Sequence, residues 1–260
     1  MLRNCLALAG VLLLVGSAPA AVVTKVVEYD HDGTKLKGFL AYDDSLKGKL
    51  PGVLVVHEWW GLNDYARERC KKLAELGYVA FAVDMYGDGK TVDHPDDARK
   101  MATTVRENVK SWRGRAETGL KQLVSQPNVD PSKIAAIGYC FGGSTCLQLA
   151  YSGADLKAVA TFHAALPTPS ADDAKAIKAK LYIAHGADDF FIPEKSITAF
   201  KEGLDAAKVK YTFESFPGVV HSFTVPGAEK LNIKGMKYDK AADEKSWKEM
   251  IALFKETLGK

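Results

Sequence analysis

Lys133-Ile134-Ala135-Ala136-Ile137-Gly138-Tyr139-Cys140-Phe141-Gly142-Gly143 is the stretch that decides the fold. Lys133 to Ile137 is a short apolar run of strand character, and Ser144 to Tyr151 is a small-residue run of helical character. Between them, the glycines around Cys140 let the backbone turn sharply and leave room for a helix to pack against the strand. Strand, sharp turn and helix together form a nucleophile elbow, with Cys140 exposed at the carboxyl end of a sheet. The same residues suit a buried cysteine in a plain glycine-rich turn, so the choice rests on whether an acid and a base stand further along the chain.

Two strand ends downstream carry the groups that would make a cysteine work. Ala179 to His185 reads as a strand that runs into Gly186-Ala187-Asp188-Asp189, ahead of a helix starting near Pro193. Lys210 to Phe216 reads as the next strand and leads into Pro217-Gly218-Val219-Val220-His221. A free thiol is only partly ionised near neutral pH, so an imidazole that takes its proton supplies the attacking thiolate. A carboxylate then fixes the tautomer of that imidazole and stabilises its charged form. The Gly-x-x-Asp spacing from Gly186 resembles the acid turn of related hydrolases, and that resemblance favours Asp189 over Asp188. Either aspartate alone would suit a solvated turn, and His221 alone a surface loop. In the order Cys140, Asp189, His221, each after a strand, they suit a catalytic triad.

With these residues and the motifs His57-Glu58-Trp59-Trp60-Gly61-Leu62-Asn63, Val83-Asp84-Met85-Tyr86-Gly87 and His221-Ser222-Phe223, the chain resembles the dienelactone hydrolase family from about residue 24 onward. The resemblance implies an α/β-hydrolase fold and a carboxylic ester or lactone hydrolase that works through an acyl-cysteine. It implies that Glu58 holds the resting thiol as an activation switch, and that the backbone N–H groups of Trp59 and Phe141 form an oxyanion hole. No metal or organic cofactor is implied. The family's dienelactone-binding arginines, after the Asp-x-Tyr motif and after the histidine, have no counterpart at the matching positions. Lys90, the cation nearest to Tyr86, is the substrate-binding candidate in their place, although lysine lacks the bidentate fork of a guanidinium. This departure speaks against dienelactone itself as substrate. Trp59, Trp60, Tyr86 and Phe223 are candidates for the substrate-cleft wall, or alternatively for core packing. His163, at another strand end, reads as a histidine that supports the cleft. The rivals are a thioesterase or other acyl hydrolase of the same fold, and a non-catalytic exported binding protein.

Organisation along the chain agrees with this fold class. Val22 to Tyr29 and Lys35 to Tyr42 flank an Asp-Gly turn and read as an antiparallel hairpin. Strands at about 51–57, 78–84, 133–138, 157–162, 180–185 and 210–216 alternate with helices at about 63–76, 93–108, 112–126, 141–151, 194–207 and 243–258. Such alternation means a mostly parallel central sheet covered by helices on both faces. Residues 87–97 and 226–243 are the least regular and are expected at the cleft rim.

The composition suits one α/β domain: 260 residues, 47% hydrophobic and 26% charged. A formal charge of +3, with acidic and basic residues interleaved, is no nucleic-acid groove and no polybasic membrane patch. The expected partner is a small-molecule ester or lactone, with no nucleic acid and no membrane in the mature form; the oligomeric state is not encoded in any motif. Residues 1–20 read as a signal peptide, with Arg3 before the apolar run Leu6 to Val15 and Ala18-Pro19-Ala20 before the cut. Export to the periplasm or the medium is the reading, and an uncleaved N-terminal anchor is the alternative. Residues 21–260 form the domain and keep Cys70, Cys140 and Cys146, an odd number that leaves a free thiol. Cys70 and Cys146 are expected to be buried and inert, with a bridge between them as the alternative.

Overall fold

Strand β3 (Leu50–Val56) is apolar at successive positions because both of its faces are covered. Val53 and Val55 enter one core, and Leu54 and Val56 enter the other. The computed structural model describes residues 22–259, so the signal-peptide reading of residues 1–20 lies outside the described residues. The eight-stranded sheet has the order β1-β2-β4-β3-β5-β6-β7-β8. The other strands are β1 (Val22–His31), β2 (Thr34–Asp43), β4 (Val79–Val83), β5 (Val129–Tyr139), β6 (Ala158–Phe162), β7 (Lys180–Gly186) and β8 (Tyr211–Phe216). β1 and β2 form the expected antiparallel hairpin, and β2 also runs antiparallel to β4; every other pairing is parallel.

The helices divide between the two faces. On one face, α1 (Asp64–Glu75) and α7 (Lys240–Leu258) pack through Cys70, Leu73, Met250 and Phe254. On the other lie α2 (Pro95–Arg106), α3 (Val109–Val124), α4 (Phe141–Tyr151) and α6 (Glu194–Ala206). A six-residue helix, α5 (Ala171–Ala176), was absent from the sequence expectation. Its Ser170–Asp173 capping box holds it, because six residues are too few to show a helical period. Cys70 and Cys146 are free and lie in cores on opposite faces of the sheet, which removes the alternative of a bridge.

One buried ion pair joins the helices of the first face to the loop after β8. The Arg69 guanidinium on α1 donates to Asp243 Oδ1 on α7 and to the Thr224 carbonyl, both at 2.7 Å. Removing one partner leaves an uncompensated buried charge. Asp243→Ala is therefore expected to cost about 3–5 kcal/mol in urea unfolding; a loss below about 1 kcal/mol would show that the pair is solvated and dispensable.

Candidate active site

Cys140 sits between β5 and α4 at φ 52° and ψ −114°, a backbone conformation that L-residues rarely adopt. Close packing holds it there. A Cβ on Gly138 would strike the carbonyl oxygen of Gly142, and one on Gly142 would strike Val56 O and approach His57 O to 2.6 Å. Only glycine lets α4 come this close to β3 and β5. Cys140 is partly exposed, whereas every residue from Phe141 to Tyr151 is buried.

The structure brings Asp189 and His221 to the same sheet edge. Asp189 follows β7, is 4% exposed, and its Oδ2 lies 2.6 Å from His221 Nδ1. Its other oxygen accepts from Phe191 N–H at 3.0 Å. Asp188 is exposed, so the Gly-x-x-Asp choice and the geometry agree. The His221 backbone is pinned to residues 235–237, with its N–H on Gly235 O at 3.0 Å and its carbonyl accepting from Lys237 N–H at 3.1 Å. Burial is the largest influence on the imidazole and opposes its charge. The Cys140 sulfur and Asp189, by charge and hydrogen bonding, outweigh it and raise the His221 pKa to about 10.

A second turn, after β3, faces the elbow. His57 Nε2 accepts from Met85 N–H at 3.2 Å, which leaves Nδ1–H to donate to the Glu58 carbonyl at 2.5 Å. Tyr86 donates its hydroxyl to the Trp59 carbonyl at 2.8 Å. Because the peptide is planar and trans, holding the Glu58 carbonyl on His57 aims the Trp59 N–H the opposite way. Phe141 opens α4, so its own N–H has no intrahelical acceptor.

Glu58 stands differently from its expected place on the thiol. The thiol's partner in this structure is His221. Glu58 is 3% exposed, beside the Ser222 hydroxyl, with Oε1 4.0 Å from His163 Nδ1. Burial outweighs the opposing influence of His221, Arg69 and Ser222 and raises the Glu58 pKa to about 7. His163 is fully buried, and burial, with the charges of His221 and Arg69, holds its pKa well below the usual value. Its Nε2 lies 2.8 Å from Thr224 Oγ1. This neutral ring packs edge-on against His221 at 5.0 Å between centroids, the supporting role expected of it.

A cleft of about 250 Å³ opens over Cys140 and His221, walled by Trp59, Ala165, Phe191, Ile192, Met236, Arg99 and Arg106. Of the expected wall residues, Trp59 alone is in place. Trp60 packs edge-on against Trp59 and faces a separate cavity with Glu58, Asn63 and Tyr65. Phe223 is fully buried against His163 and Phe216, because the chain turns inward after His221. Tyr86 is buried beneath Trp59, with its hydroxyl already bonded. Lys90 is exposed and belongs to the turn that contacts Gly61. The cations in the cleft are instead Arg99 and Arg106, which the sequence reading missed. They lie seven residues apart on α2, hence on one helix face, and that spacing was the available signal. Arg106 lays its guanidinium over the Phe141 ring at 5.2 Å. From the segments expected at the rim, Met236 reaches this cleft, whereas Val92, Asp93, Pro226 and Leu231 line the separate cavity beside Trp60.

Residues 36–258 match the dienelactone hydrolase family. The chain belongs to this family. "Protein usf" of Aquifex pyrophilus is 31% identical over 243 residues, 90% of this chain and 99% of that one. A "Putative carboxymethylenebutenolidase" of Aquifex aeolicus (strain VF5) is 30% identical over 240 residues, 89% of this chain and 97% of that one. Among solved structures, the dienelactone hydrolase-like promiscuous phosphotriesterase P91 from metagenomic libraries is 39% identical. It superposes with a TM-score of 0.89 over 91% of this chain and 99% of its own. The family's α/β-hydrolase architecture is the one described above.

The Glu58 environment makes stability depend on pH. Its pKa rises from 4.5 to about 7 on folding, so the folded chain binds a proton that the unfolded chain has released. The resulting stabilisation is fully present below about pH 4.5 and is lost as pH rises through about 7. Urea unfolding at pH 4.5 and pH 8 should show wild type losing roughly 3 kcal/mol relative to Glu58→Gln; parallel pH profiles would mean that Glu58 is ionised throughout.

Proposed function

We propose that this chain hydrolyses small carboxylic esters and lactones through an acyl-cysteine, and that it prefers substrates carrying an anionic group near the scissile bond. The observation that carries this reading is the 2.6 Å contact of Asp189 with His221, with Cys140 on the other side of the same ring. Cys140 sulfur attacks the carbonyl carbon while His221 holds the thiol proton as imidazolium. The carbonyl oxygen takes the negative charge and is met by the N–H groups of Trp59 and Phe141. Collapse of the tetrahedral adduct breaks the bond to the leaving oxygen, which receives the proton from His221. Water then attacks the thioester, His221 takes its proton, and the acid leaves as the thiol is restored.

Arg99 and Arg106 support the anionic preference, since a guanidinium edge binds a carboxylate by two parallel hydrogen bonds. They offer from α2 what the positions after Tyr86 and His221 lack. A neutral phosphotriester is a second substrate class to test, because P91 is described as a promiscuous phosphotriesterase. Export after removal of residues 1–20 belongs to the same proposal and would be read by N-terminal sequencing of protein recovered outside the cytoplasm.

Cys140→Ala is expected to abolish hydrolysis of p-nitrophenyl acetate, and Cys140→Ser to leave weak activity, because a serine hydroxyl is far less acidic. Activity unchanged in Cys140→Ala would move the chemistry elsewhere. Arg106→Ala should lower kcat/KM for a carboxylate-bearing ester about 10- to 100-fold, the loss of one charge-assisted hydrogen bond. The matched neutral ester should change much less; equal losses for both would assign Arg106 to packing alone.

A further inference from the structure

The cleft over Cys140 does not end at Arg106. A second cavity of about 300 Å³ continues from it, and the two share Arg106, Ala165, Phe191 and Ile192 as walls. The first cavity alone is below the usual range for small-molecule sites, roughly 300–1,000 Å³, whereas the continuous groove falls within it. Its far part lies between the start of α3, the loop after β6 and the first turn of α6, and presents Trp112, Leu166 and Pro193.

Two of the polar side chains around this far part, Trp112 and Ser144, are already hydrogen-bonded within the protein. Trp112 donates its indole N–H to Thr145 Oγ1 at 2.8 Å, and the Ser144 hydroxyl donates to Ala165 O at 2.8 Å. Trp112 and Leu166 are 5% and 4% exposed, so what they show to the groove is carbon. Beyond Arg106, the Trp112, Leu166 and Pro193 faces offer a polar ligand no replacement for the hydrogen bonds it would leave in water, whereas an apolar group gains by entering. Phe191, 41% exposed at the junction, gives an entering chain or ring an aromatic surface.

Resting on the cysteine-hydrolase reading, we propose that this groove is an apolar subsite. It holds an alkyl or aryl arm on one side of the scissile bond, so that the substrate is larger than a simple small lactone. Arg106 at the junction separates this arm from the reacting carbonyl.

Two matched ester pairs test the proposal: p-nitrophenyl acetate against p-nitrophenyl hexanoate, which vary the acyl side, and methyl acetate against benzyl acetate, which vary the alcohol side. Wild type is expected to favour the larger member of one pair at least tenfold in kcat/KM. Ser196, on α6, lines only the far part of the groove. The ratio should fall in steps through Ser196→Leu to Ser196→Trp, which narrow and then fill the groove. Using two plugs of different size keeps the result readable if the larger one impairs folding. No preference for the larger member in either pair, or a preference that both variants keep, would overturn the subsite. Failure of the underlying reading looks different: turnover that survives in Cys140→Ala, or no turnover of any ester, removes the cysteine chemistry and the subsite with it.

Discussion

The left-handed backbone of Cys140 is the constraint on which the rest of the site depends. A residue held there costs of order 1–3 kcal/mol, and what holds it is the approach of α4 to β3 and β5 across glycines that have no Cβ to intervene. The same approach brings the start of α4 against the Val56 and His57 carbonyls that lead into the turn after β3. It also leaves Cys140 partly exposed while its neighbours on α4 are buried. The chemistry assigned to the thiol thus begins with a packing requirement.

Around that elbow, charge is placed in layers. Asp189 and His221 are buried and paired, while His163 behind them is kept neutral by burial and by its neighbours. Glu58 stands where desolvation keeps its carboxyl protonated up to near neutral pH. Further back, Thr224 links this group to the fold. Its hydroxyl meets His163 and Tyr65, and its carbonyl accepts from Arg69, which is paired with Asp243 on the C-terminal helix. The loop carrying His221 is therefore fixed at one end by residues 235–237 and at the other by a buried ion pair.

Much of this was legible because it is local. The unbroken apolar runs of β3 and β4 report burial on both faces, and the Asp-Gly turn reports the hairpin. The glycines around Cys140 report a turn that other residues could not make. Asp189 and His221 could be picked out because the fold class places chemistry after parallel strands. What depended on tertiary packing was not legible. The seven-residue spacing of Arg99 and Arg106 shows that they share one face of α2, but nothing within residues 95–106 says which loop that face meets. Trp60, Tyr86 and Phe223 are large and close in sequence to the motifs, but one turn of chain decides between cleft and core. Glu58 was readable as a strand-end carboxylate, whereas its neighbours Ser222 and His163 come from two other loops.

The central claim is that Cys140 carries the acyl group during turnover. Rapid acid quench of the protein with p-nitrophenyl acetate, followed by intact and peptide mass spectrometry, tests it most directly. The account predicts one acetyl group per chain, on the peptide containing Cys140, accumulating in His221→Ala if that variant still acylates and absent from Cys140→Ala. Turnover of the ester with no covalent adduct on Cys140, or an adduct on another residue, would contradict it.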